Sequence, residues 1–123
     1  MVEEIERKLV NETSRLSGLG IEKFLMPNEM AKYATKGSLY VGGENGLKGY
    51  VTNNRVIFYT SKGLIFKSDR LNEIPLDQIK SFRMVEEGIV FKKIHLQLND
   101  LKITGDRSDI LDLYRAIQAA KQK

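Results

Sequence analysis

The chain has 123 residues, 41% hydrophobic and 29% charged, with a formal net charge of +4. That size and balance describe one ordinary globular domain able to bury a core without staples, and they exclude the disordered and fibrous classes. With no cysteine there is no disulfide framework, thiolate nucleophile or thiolate metal site; a reducing cytoplasm fits best, with the inner face of the membrane as a peripheral location.

No stretch approaches the roughly 20 apolar residues of a spanning helix. Glu3, Glu4 and Glu6 stand where a signal peptide carries positive charge, so the chain reads as soluble. From Val2 to Leu16 the residues Ile5, Leu9 and Leu16 recur among charges at near-helical spacing, and Gly18 and Gly20 follow as stop signals. Residues 1–20 therefore read as an amphipathic helical arm, with Ile5, Leu9 and Leu16 as candidate interface residues toward the domain or another subunit, ahead of a domain over residues 21–123. The patch Ile21 to Met26 ends at Pro27, because a residue before proline avoids helical backbone.

Beyond Pro27 come short runs rich in β-branched and aromatic residues, separated by glycine, asparagine and aspartate. Seven strands are expected: Met30–Val41, Leu47–Thr52, Arg55–Thr60, Leu64–Glu73, Ile79–Glu86, Ile89–Leu98 and Leu101–Thr104. Nearly every connection is of hairpin length, which forces antiparallel pairing in an up-and-down sheet. Gly42-Gly43-Glu44-Asn45-Gly46 reads as a flexible hairpin loop; it precedes a strand and lacks the Gly-Lys-Ser/Thr of a phosphate-binding loop. In Ile94-His95-Leu96-Gln97-Leu98 the alternation sends the aliphatics inward and leaves His95 solvated. Ile89 and Phe91 have the opposite parity, which predicts a bulge near Lys92-Lys93.

After Gly105 the period changes. Ile110, Leu113, Tyr114 and Ile117 fall on one helical stripe, with Asp106 or Ser108 as N-cap and Lys121 and Lys123 at the end. Such a stripe must cover something, and the open end of the antiparallel sheet is what is available. The fold class is thus mainly β, a seven-stranded barrel or sandwich capped by a C-terminal helix.

At Gly49-Tyr50-Val51-Thr52-Asn53-Asn54-Arg55 the chain resembles bacterial pleckstrin-homology-like and GRAM-like domains, whose motif runs glycine, apolar pair, Thr-Asn-x-Arg. Pro27-Asn28-Glu29 is similar to the lead-in to their first strand, with Asn28 in place of glycine, and Ile74-Pro75-Leu76 to Ser81 is similar to the segment before their fifth. The likeness covers roughly Glu22 to Gln118. Without the family, the motif reads as a tight turn that sets Arg55 at the head of an apolar strand, where its guanidinium bonds carbonyls or carboxylates; Gly49, Thr52, Asn53 and Arg55 are structural residues on this reading.

The resemblance implies a non-catalytic binding module, and it implies that a headgroup site would draw on Lys32, Lys36, Lys48 and Lys62. Phosphoinositide-binding members carry a basic pair in the second strand where this chain has only Lys48, so a diffuse attraction to anionic membrane, about 1 kcal/mol per basic residue, is what remains. Catalysis would require a nucleophile, an acid–base pair or a metal cage, and the single histidine offers none of these; Asp106, Asp109 and Asp112 serve the helix cap and dipole and are not expected to hold metal. No cofactor and no small-molecule substrate are expected. Nucleic acid is disfavoured: Arg83, Lys92, Lys93 and Lys102 could meet phosphates, but Tyr50, Tyr59 and Phe91 are expected to fill the core and not to stack on bases. A protein partner, or a second copy of the chain through the arm or the sheet edges, completes the expectations.

Overall fold

The computed structural model describes residues 21–62 and 68–122, with side chains at all of these except 61, 62 and 68–70. The arm over residues 1–20, with Ile5, Leu9 and Leu16, lies outside the described residues.

Eight antiparallel strands are present among the described residues: β1 (Ala31–Ala34), β2 (Leu39–Val41), β3 (Glu44–Thr52), β4 (Arg55–Lys62), β5 (Ser68–Pro75), β6 (Phe82–Glu87), β7 (Lys93–Leu98) and β8 (Leu101–Thr104). The helix α1 (Arg107–Lys121) follows them. β3 belongs to two sheets. Its C-terminal half pairs with β4 and β1, while its N-terminal half pairs with β2 and leads through β8 and β7 to β6.

The expected first strand, Met30–Val41, is broken at Thr35–Ser38, and Asp109 on α1 shows why. Its carboxylate accepts the Lys36 and Gly37 N–H groups at 2.9 and 3.0 Å, so the backbone at the corner bonds the helix and not a neighbouring strand. The Thr35 hydroxyl completes the corner by accepting the Gly49 N–H at 3.0 Å and donating to the Gly37 carbonyl. β1 consequently stays with one sheet and β2 crosses to the other.

Three turn regions differ from expectation. The glycine-rich stretch is a tight two-residue turn closed by the Val41 and Glu44 pair, with Gly42 at φ 56° and Gly43 at φ 91°, the conformation that matches strand twist. Leu76–Gln78, expected between strands, forms a 3-10 turn that delays β6 to Phe82. The sixth run begins at Lys93 and not at Ile89. The hairpin closes at the Glu87 and Lys93 pair, so no bulge is needed, and Ile89, Val90 and Phe91 stand outside the ladder. Phe91 is 83% exposed and is not a core residue.

The core has two parts. Leu39, Val51, Val56, Phe58, Leu96, Leu98 and Ile103 meet Ile110, Leu113 and Ile117 of α1 in the main cluster, and Tyr114 packs on Phe82 with ring centroids 5.4 Å apart. The outer face of β3 and β4 buries Tyr50, Ile57 and Tyr59 against Ile21 and the 3-10 turn Glu22–Phe24. Adjacent residues of β4 are therefore buried on both faces, the reason its sequence reads as a continuous apolar run. His95 is on the outer face as expected yet only 7% exposed, a correction to its solvated reading: alternation assigns a face and not what covers it.

Candidate functional site

The Thr-Asn-x-Arg motif folds into a clamp. The Thr52 hydroxyl accepts the Asn54 and Arg55 N–H groups, both at 3.0 Å, and donates to Glu29 at 2.7 Å. Asn53 accepts the Met30 N–H at 2.8 Å and donates to the Asn28 carbonyl at 3.1 Å, fastening the turn to the lead-in of β1. Arg55 meets Glu29 through two bonds, Nε to Oε2 at 2.9 Å and Nη2 to Oε1 at 3.0 Å; Nη2 also donates to the Phe24 carbonyl, and Nη1 pairs with Glu73. All three guanidinium nitrogens are engaged, which makes Arg55 a tie between β4, β5 and residues 24–29. Burial alone would raise the Glu29 pKa, but hydrogen bonds from Arg55, the Met26 N–H and Thr52 outweigh it and hold the carboxyl below its ordinary value. Gly49, the first residue of the motif, lies outside this clamp and under the Thr35–Ser38 corner, where a Cβ would stand 3.0 Å from Leu39.

A groove of about 620 Å³ opens at the other end of α1. Ala116, Ala119 and Ala120 form its helical wall, Lys32 and Tyr33 of β1 face them, and Asn53, Asn54, Leu76 and Asp77 close the ends. The β1–β3 register slips by one residue between Ala31 and Tyr33, and at this irregularity of β1 both Lys32 and Tyr33 line the groove. That strand pairs with β3 on one edge, and no strand among the described residues pairs with the other. Lys121 braces the groove by donating to the Leu76 and Ile79 carbonyls at 3.1 and 3.0 Å. Burial pushes the Tyr33 hydroxyl up to about 12, assisted by the charges of Asp109 and Asp112, so it remains a protonated donor at neutral pH.

The lysines singled out from the sequence take different positions. Lys32 lines the groove beside the last turns of α1. Lys36 is exposed in the Thr35–Ser38 corner, beside the first turn of α1. Lys48 is half-buried in β3, opposite Tyr59, and the side chain of Lys62 lies outside the described residues. Sequence reasoning did not assign the partners that organise these regions: Glu29, Asp109 and Asn99. Asn99, at φ 53°, accepts the Lys80 and Ser81 N–H groups and donates to the Gln78 carbonyl, repeating at the β7–β8 turn what Asn53 does at β3–β4. A turn asparagine is the available signal, but it does not say which distant segment the side chain reaches.

Among the described residues, no helix is long and apolar enough to cross a membrane. No curated protein matches the chain. In overall structure it is similar to a pleckstrin homology domain from Shewanella amazonensis SB2B, with a TM-score of 0.61 and 17% identity over 90% of this chain and 99% of that one. It is also similar to a DUF1696 family protein with a pleckstrin-homology domain from Shewanella loihica PV-4, with a TM-score of 0.58 and 15% identity over 89% and 92% of the two chains. At such identities the likeness speaks to the fold. The family model for the bacterial PH domain matches residues 25–121, from the lead-in of β1 to the last residue of α1, and this chain accordingly belongs to the bacterial PH domain family.

Proposed function

We propose that this domain is a non-catalytic binding module acting as a protein-interaction adaptor, which takes an extended segment of a protein partner into the groove between β1 and α1. The carrying observation is that the groove is lined by residues of β1, a strand that pairs with β3 on one edge and with no strand among the described residues on the other. An added strand gains main-chain hydrogen bonds along such an edge, and its alternate side chains reach the space left by Ala116, Ala119 and Ala120. Tyr33, Asn53 and Asn54 line this space with polar groups suited to a peptide backbone. A chain with one histidine and no cysteine is poorly equipped for acid–base or nucleophilic chemistry, which favours binding over turnover.

Selection of displayed random peptides on the full chain, followed by amide-shift mapping, tests this. Selected peptides should perturb β1 and residues 116–121, and Ala119→Arg, at an exposed helical position, should weaken them by about tenfold or more, equivalent to about 1.4 kcal/mol. Absence of binders, or perturbations confined to other surfaces, counts against the reading.

A further inference from the structure

We propose that the tip of the β6–β7 hairpin is an anchor for anionic membrane, in which Ile89, Val90 and Phe91 enter the interfacial layer and Lys92 and Lys93 meet lipid phosphates. The three side chains are 96%, 81% and 83% exposed. Single exposed apolar residues are commonplace on any protein surface, but these three are consecutive and are half of the six large apolar side chains that the described residues expose. Their projection is built into the backbone. Gly88 has φ 109°, and a Cβ there would lie 2.3 Å from the Phe91 carbonyl oxygen, so the chain folds back on a glycine and presents the triad at the end of the hairpin.

Charge selects the occupant. Lys92 and Lys93 follow the triad directly and are exposed. Lys92 lies 3.4 Å from Glu86, but both side chains are largely in solvent, and so weak a pair is easily exchanged for a phosphate. Behind the tip, the register places Arg83 and Lys102 on either side of Gln97, on the same outward face of the sheet as Lys93. Residues 80–104 hold five lysines and arginines against three carboxylates. At the tip itself Glu86 and Glu87 offset Lys92 and Lys93, and the excess positive charge lies behind it with Lys80, Arg83 and Lys102. An apolar knob carried on such a sheet fits a fluid anionic interface, which needs no matching pocket. The groove beside α1 is formed by other residues, so the hairpin leaves it free for a protein partner.

The chain contains no tryptophan, so Phe91→Trp introduces a single indole that reports on the tip. Its emission should shift to the blue with vesicles of phosphatidylcholine and phosphatidylglycerol, and not with phosphatidylcholine alone. Tyr40→Trp, at an exposed position of β2, should keep its aqueous emission. In co-sedimentation with the mixed vesicles, Phe91→Ser should lower partitioning by roughly tenfold or more, from the apolar burial it forfeits. Lys93→Glu should lower it about tenfold. Ala119→Arg should partition like the parent, so that this inference and the groove reading fail separately. An unshifted F91W emission in a protein with the parent's circular dichroism, an equal shift in Y40W, undiminished partitioning of F91S, or equal binding without phosphatidylglycerol would each overturn the proposal.

Discussion

At Arg55 a charge is removed from water and repaid entirely by local partners. Its side chain is 8% exposed and that of Glu29 is 0%, so each would be an uncompensated buried charge without the other. Arg55→Ala should therefore cost about 3–5 kcal/mol in urea unfolding, well above the loss of a surface ion pair. Arg55→Lys should restore little of it, since one ammonium cannot reproduce the two bonds to Glu29 together with those to Phe24 and Glu73. A cost near that of an exposed pair for either variant would mean that the clamp adds little to stability. Because the guanidinium is fully engaged, the motif explains how residues 24–29 are held to the sheet and does not itself make a ligand site.

Among the elements, α1 does more than cap the two sheets. Ile110, Leu113 and Ile117 are fully buried, and the same helix supplies Asp109, whose two oxygens accept N–H groups from the corner between β1 and β2. Asp109→Asn keeps one acceptor oxygen and sets an NH₂ against a backbone N–H, so a buried donor loses its partner. The expected cost is about 1–3 kcal/mol, with faster hydrogen exchange concentrated at Lys36 and Gly37. Exchange unchanged at those two amides would show the corner to be held by Thr35 alone. The helix also forms one wall of the groove, and the short side chains of Ala116, Ala119 and Ala120 leave that space open.

For the whole molecule, the two clusters on either side of β3 and β4 give stability a pH signature. Tyr50 is fully buried, and burial, with smaller contributions from Tyr59 and Glu22, raises its pKa to about 12, as burial does for Tyr33. Both groups are raised above the ordinary value of 10.0, so their contribution is complete below that pH and is lost as pH rises toward 12. Glu29 has the opposite sign. Its pKa is depressed from 4.5, so its contribution is present above that value and lost as pH falls below it. Thermal unfolding should show a plateau between these limits, and tyrosinate absorbance should show Tyr33 and Tyr50 ionising late, near the alkaline unfolding transition. Ionisation of Tyr33 and Tyr50 near 10 in a folded protein would contradict their burial.

Local chemistry determined a good part of this protein. The spacing of Ile110, Leu113 and Ile117 announced α1, hairpin-length turns announced antiparallel pairing, and the order of Gly49, Thr52, Asn53 and Arg55 carried the family likeness now matched over residues 25–121. Those features depend on interactions within a few residues, where period and turn preference act directly. Tertiary structure decided what depends on distant partners. The 73 positions between Lys36 and Asp109 hid the acceptor that breaks the first strand, and the 26 between Glu29 and Arg55 hid the buried pair. The same limit explains His95 and Phe91. Alternation places a side chain on a face, but only the assembled sheets determined that His95 would be covered and Phe91 left in solvent. The groove beside β1 and the hairpin tip are likewise products of assembly, since neither has a motif: one is a space between elements, and the other an apolar run that a fold-back at Gly88 kept out of the core.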